Sequence, residues 1–212
     1  MTAERFVRYS KPAVFLACLV PMGLLVRKGI TGHLGANPIE VITHSTGDWT
    51  LIFLCITLAV TPLRRALGLP WLVRYRRMTG LFAFFHGCLH FMTYLWLDKF
   101  FDVHEMVKDV AKRPFITAGF TAFVLMLPLA ATSTAGMIRR LGGRRWQLLH
   151  RLIYVSATAG VIHYYWLVKA DVRLPLRYAA IVAFLLGCRL VMYFVDRRRQ
   201  QARPMEHAEQ LP

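Results

Sequence analysis

Polar and apolar residues in this chain are sorted into blocks instead of being interleaved. Nearly charge-free apolar runs recur at Ala13 to Val26, Trp49 to Leu63, Met78 to Leu97, Phe115 to Thr132, Trp146 to Val168 and Leu174 to Val195. A bilayer core of about 30 Å needs roughly 20 helical residues at ~1.5 Å each; the third, fifth and sixth runs supply this outright, and the first two reach it with flanking residues. No run alternates apolar with polar positions, and an open sheet leaves unpaired edges in lipid, so helices win over strands. The pattern predicts an all-α membrane protein: a bundle of six transmembrane helices over residues 1–199, with a short tail at 200–212.

Charge adds direction to these spans. Arg5, Arg8 and Lys11 precede the first, and Arg64, Arg65, Arg74, Arg76 and Arg77 lie between the second and third. Arg139, Arg140, Arg144 and Arg145 lie between the fourth and fifth, and Arg197, Arg198, Arg199 and Arg203 follow the sixth. Basic residues near span ends stay on the cytoplasmic side, so both termini are predicted to be cytoplasmic in a multi-pass inner-membrane protein. The segment Asp98 to Arg113 mixes signs, as a translocated loop does. The first run also fits a secretory signal sequence, but no small-x-small cleavage site follows at once, and a retained helix is the favoured reading.

The chain carries 27 Lys and Arg against 11 Asp and Glu, a formal charge of +16, with 56% apolar residues. Anchoring to anionic lipid on the inner surface explains that excess. No zinc-finger spacing, helix-turn-helix or RNA-binding signature accompanies it, which argues against nucleic acid. Cys18, Cys55, Cys88 and Cys188 all fall within apolar runs and never as C-x-x-C, and read as small buried residues.

The histidines change the picture most. His33, His104 and His207 fall in loops or the tail, whereas His86, His90 and His163 lie deep in spans; His150 is expected one turn into the fifth span and His44 at the outer start of the second. An ionisable side chain facing lipid is costly, so such histidines face the bundle interior and have a partner. Measured from the outer span ends at Leu97 and Val168, His90 and His163 lie about 10 Å and about 8 Å deep, in one layer. Two imidazoles at one depth can clamp a metal from opposite sides. Zinc would want further ligands that no carboxylate or thiol pattern supplies, while haem needs axial ligands, a slot for a flat ring and cations for its propionates.

Gly87 and Gly160, each three residues before a histidine, are expected to leave room for the porphyrin face or for helix contact. His86 reads as a hydrogen-bonded core histidine that can alternatively replace His90 as ligand. His150 is about 20 Å inward of His163 and suits a second haem, although the matching depth on span three holds Arg76 and Arg77, and an ideal helix turns the two rings about 140° apart. His44 reads as interfacial, with quinone or haem-edge contact as the sharper alternative. Met78, Met92 and Met126 read as packing.

No loop exceeds about two dozen residues, and no G-x-G-x-x-G follows a strand, so no nicotinamide- or flavin-binding fold is expected within these residues. Electrons are therefore expected from quinol or a separate reductase, and must leave to a separate acceptor. The inner Arg76, Arg77, Arg144, Arg145 and Arg151 can hold propionates, a flavin phosphate or a partner, or serve as topology determinants.

Several segments together resemble the ferric reductase-like transmembrane domain, and within it the MsrQ (YedZ) family. They are His44-Ser45-Thr46-Gly47, Thr61-Pro62-Leu63-Arg64-Arg65, Arg76-Arg77-Met78-Thr79-Gly80-Leu81 with His90, and Arg145 to Tyr154 with His163. The resemblance covers roughly Lys11 to Arg199. It implies a six-helix cytochrome b subunit that passes electrons from the quinone pool, or from a separate cytoplasmic flavin reductase, to a periplasmic molybdopterin methionine-sulfoxide reductase repairing oxidised proteins. It also implies haem b, one or two per chain, and FMN. His90 and His163 are its best haem pair and His150 its third ligand candidate; His86 is outside the transferred pattern. The chain itself is expected to carry no substrate chemistry. A direct ferric or metal reductase at the outer face and a non-redox proton-relay transporter are the competing readings.

Overall fold

The structure, a computed structural model, describes residues 3–208, with side chains through residue 201. The end of the predicted tail at 209–212 and the side chains of Arg203 and His207 lie outside the described residues. The α-helices in chain order are α1 (Ala3–Ile30), α2 (Pro38–Ala66), α3 (Val73–Met92), α4 (Val103–Lys112), α5 (Pro114–Ala131), α6 (Ala135–Leu141), α7 (Gly143–Leu149), α8 (Leu152–Leu167) and α9 (Arg173–Ala208). No strand occurs among the described residues.

Six long helices, α1, α2, α3, α5, α8 and α9, make the predicted bundle. A 3₁₀ turn at Pro70–Leu72 leads into α3, and a π turn at Thr93–Asp98 prolongs it, giving a 29-residue span. With α1, α2, α5 and α9, this makes five helices long and apolar enough to cross a membrane. The sixth, α8, has 16 residues, about 24 Å. Backbone helix continues from α9 through Ala208, so the backbone marks no break at 199.

The fifth apolar run is not one helix. Its first part is α7, and the chain turns at His150 and Arg151 before α8 begins. Here Arg151 N donates to Leu148 O and Tyr154 N to Arg151 O, a tightened i→i+3 pattern that breaks the α-helical ladder. One side chain of α7 and one of the turn are tied to the end of α5: Trp146 Nε1 donates to Thr132 O at 2.9 Å, and His150 Nε2 lies 3.1 Å from Thr132 Oγ1. The expectation of His150 one turn into a continuous span, with a fixed angle to His163, is therefore corrected.

Local chemistry sets the helix ends. Asn37 caps α2 through Glu40 N, with Pro38 in the first turn, and Asp102 caps α4 through Glu105 N at 3.0 Å. The turn between the π segment and α4 passes through Phe100 and Phe101 at φ +48 and +63, left-handed positions that end a helix and that glycine usually takes.

Helices α2 with α3 and α5 with α8 form the two most extensive pairs; α9 packs on α2 and α8, and α1 on α2 and α3. Thr57 Oγ1 donates to Thr79 Oγ1 at 3.0 Å across the first pair, and Ser156 Oγ to Ala122 O at 2.8 Å across the second. One contact answers a backbone defect. Pro62 lies inside α2 and has no N–H, so the Leu58 carbonyl loses its partner four residues on. Arg189 of α9 supplies it, donating from Nη2 to Leu58 O at 2.8 Å and from Nη1 to Tyr154 Oη of α8 at 2.9 Å. The guanidinium thus joins three helices at the place where a proline leaves a carbonyl open in the membrane.

The bundle has two chemically distinct ends. The starts of α2, α5 and α9 share the mixed-charge end with α4, and the arginine-rich segments occupy the other. Side chains such as Phe15, Leu16, Phe184, Leu190 and Val191 face outward along the spans, as lipid contact requires. The protein is a multi-pass membrane protein.

Candidate functional site

A cavity of about 600 Å³ opens between α2, α3, α5 and α8 in the half of the bundle nearer the mixed-charge end, and His90 and His163 both line it. Their ring centres are 6.0 Å apart and their planes cross at 74°. The predicted common layer therefore exists, with one histidine from each of the two main helix pairs.

Each imidazole is held from behind in the same way. His90 Nδ1 donates to the Thr43 carbonyl of α2 at 3.0 Å, and His163 Nδ1 to the Phe115 carbonyl of α5 at 2.7 Å. A carbonyl only accepts, so Nδ1 carries the proton and Nε2 keeps its lone pair. The residue four beyond each carbonyl is a glycine, Gly47 on α2 and Gly119 on α5. An added Cβ at Gly47 would lie 3.1 Å from the His90 ring, and at Gly119 only 2.6 Å from His163 Nδ1. A side chain there would block the approach of the imidazole to the carbonyl. His90 follows Gly47 by 43 residues and His163 follows Gly119 by 44, so the two helix pairs repeat one docking device. Sequence reasoning missed both carbonyls, Gly119 and the role of Gly47, which it quotes only as part of a motif, although the near-equal spacing was available as a signal.

The glycines singled out in the sequence do a different job. An added Cβ at Gly87 would meet Met126 Cε at 2.9 Å and one at Gly160 would meet Leu51 Cδ2 at 3.2 Å, so each is filled by a packed side chain from another helix. Both still line the cavity, as does Met126.

The remaining histidines do not join the pair. His86 is 2% exposed, and its Nδ1 donates to Phe82 O at 3.0 Å. It packs on Phe53 and Phe85 with ring centres 5.1 and 5.3 Å away, outside the cavity lining, and its Nε2 has no hydrogen-bond partner among the described residues. His44 stands at the mouth, exposed, with Nε2 3.9 Å from Glu40 Oε1. His150 stacks on Trp146 at 3.9 Å near the arginine-rich end and faces no other histidine among the described residues.

Of the five arginines singled out in the sequence, Arg77, Arg144, Arg145 and Arg151 are exposed and Arg76 is half-buried; none lines the cavity. Arg76 and Arg77 lie roughly 20 Å from His90 along α3 at ~1.5 Å per residue. Among the described residues, the one arginine or lysine that does line it is Arg113, at the mouth, with Glu40, Asp48 and Asp98 as the acidic lining.

The residues fit a haem. Imidazoles on opposite faces of one metal, with nitrogens about 2 Å from it, place their ring centres roughly 6 Å apart. The volume lies within the roughly 300–1,000 Å³ typical of small-molecule sites, and the walls carry Leu51, Leu54, Phe91, Phe123 and Met126. Among the described residues no group of three or more His, Cys, Asp or Glu is arranged to hold a bare metal ion.

A family model described as ferric reductase like transmembrane component matches residues 46–161. Among similar proteins, one from Herminiimonas arsenicoxydans is 58% identical over 194 residues, 91% of this chain and 89% of its own. One from Ralstonia nicotianae is 56% identical, covering 90% of this chain and 88% of its own, and one from Rhodospirillum rubrum 50% identical, covering 93% and 94%. All three bear the name protein-methionine-sulfoxide reductase heme-binding subunit MsrQ. No solved structure matches the chain. Likeness of this extent, over a bundle that brings His90 and His163 together across one cavity, means that the chain belongs to the MsrQ family of ferric reductase-like transmembrane components.

Proposed function

We propose that this chain is the haem-binding electron conduit of a protein-methionine-sulfoxide reductase system, with His90 and His163 as the axial ligands of one haem b. The observation that carries the proposal is the facing pair of imidazoles, each with Nδ1 committed to a helix carbonyl and Nε2 left as a donor lone pair. Haem bound between them supplies a one-electron carrier. The chain's own residues fix the two rings, exclude water with Phe91, Phe123, Leu51 and Met126, and set the carrier near the mixed-charge face.

That face is the periplasmic one in this proposal, and both termini lie in the cytoplasm of a bacterium with an inner membrane. The acceptor is a periplasmic molybdopterin subunit that reduces methionine sulfoxide in oxidised proteins. The donor is quinol or a separate cytoplasmic flavin reductase. His150 stays the third ligand candidate, for a second haem near the arginine-rich face, where it would exchange its Thr132 hydrogen bond for iron. FMN, implied by family likeness, would find phosphate-binding forks in Arg144, Arg145 and Arg151. A proton relay through His90 and His163 is disfavoured because passing a proton along needs both ring nitrogens, and one of each is held by a carbonyl.

The test is reconstitution in proteoliposomes with a quinol analogue and a soluble methionine-sulfoxide reductase at the outer face. Sulfoxide reduction should require the chain and stop with His90→Ala or His163→Ala. Equal reduction with either variant would overturn the conduit, and rapid ferric reduction with no outer subunit present would favour the direct metal reductase.

A further inference from the structure

We propose that Arg113 orients the haem, binding its carboxylate end at the mixed-charge mouth of the cavity; this rests on the haem reading above. The far end of the cavity is apolar. Leu54 and Met126, each seven residues beyond the docking glycine on its own helix, close it about 10 Å from the histidine layer. A propionate directed there would lose its hydration and gain no partner.

At the mouth the charges are unequal. Glu40 and Asp98, with Asp48 deeper beside Gly47, would repel a carboxylate, and His44 is already beside Glu40. Among the described residues, Arg113 is the single arginine or lysine of the lining. It sits immediately before α5, two residues from the Phe115 carbonyl that holds His163, so its place relative to the axial ligand is fixed by a short piece of backbone. Its Nε is 3.4 Å from Asp109 Oδ1, and its two Nη groups have no partner among the described residues. A guanidinium held by one edge and open at the other presents a fork of the shape a carboxylate takes. The inner arginines, Arg76 and Arg77, are too far along α3 to serve a haem at this layer.

The experiment compares haem b with its dimethyl ester, whose carboxylates are blocked, for binding to apoprotein purified in detergent from haem-deficient cells. Wild type should bind the free acid about tenfold more tightly than the ester, as a charge-assisted fork predicts. Arg113→Gln should bind both about equally, keep the bis-histidine spectrum, and lower the midpoint potential, because a lost cation disfavours the reduced iron. Arg76→Gln should leave the ratio unchanged. An undiminished preference in Arg113→Gln overturns the proposal, as does an equal loss in Arg76→Gln. If the glutamine variant does not fold, Arg113→Lys serves: it should reduce the ratio severalfold, and an unchanged ratio overturns the proposal. Failure of wild type to bind either porphyrin rejects the haem reading itself, and this inference with it.

Discussion

The proton on each cavity imidazole is placed by a neighbouring helix, since Thr43 and Phe115 offer carbonyls that only an N–H can approach. Close approach depends on Gly47 and Gly119, and the two differ in tightness. Gly119→Ala would drive a methyl to within 2.6 Å of His163 Nδ1, whereas Gly47→Ala meets the His90 ring at 3.1 Å. Haem affinity is therefore expected to fall by about ten- to a hundredfold in Gly119→Ala and by less in Gly47→Ala, measured by haem titration of purified apoprotein. Equal retention in both would mean that the carbonyl docking is incidental. His90 and His163 were legible in the sequence because a polar ring inside an apolar run is exceptional. The glycines were not, because what they accommodate belongs to another helix some forty residues away, and spacing within one helix pointed instead to Gly87 and Gly160.

Among the elements, α2 and α9 depend on each other through Pro62 and Arg189. Arg189→Met leaves the Leu58 carbonyl without a donor, at a cost of roughly 1–3 kcal/mol. Pro62→Ala restores an N–H to that carbonyl, so the double variant should be less destabilised than the sum of the two singles, read as thermal unfolding in detergent. Strict additivity would contradict the link. The apolar runs made the six long helices readable, since length and hydropathy alone decide what crosses a bilayer. They did not reveal the turn at His150, which side chains from α7 and Thr132 impose, or α4, whose ten residues average out as a polar loop. Helix α4 also has a pH dependence. Lys99 donates to Asp109 and, with Arg113, holds that carboxyl below the usual range. A depressed carboxylate stabilises fully above its unfolded value of about 3.9 and loses that contribution as pH falls through the lower folded value. Amide exchange in α4 should accelerate on acidification below about pH 4, and Asp109→Asn should diminish the change, the Glu105 carboxylate paired with Lys108 supplying the remainder.

For the whole molecule, the account requires the mixed-charge end to face outward. With the native cysteines replaced by serine, His104→Cys should react with an impermeant maleimide in spheroplasts and Arg144→Cys only after lysis; the reverse pattern would invert the direction of electron flow. Two helix pairs, α2 with α3 and α5 with α8, each deliver one histidine to a shared cavity, and the central claim is that iron of a haem sits between them. The most direct measurement is the dithionite-reduced minus oxidised absorption spectrum of the purified protein, with haem per chain quantified as the pyridine haemochrome. The account predicts a low-spin b-type spectrum from the His90 and His163 site, lost in His90→Ala and in His163→Ala and kept in His86→Ala. No haem in the wild type expressed with haem supplied, or an unchanged spectrum in both of the first two variants, would contradict it.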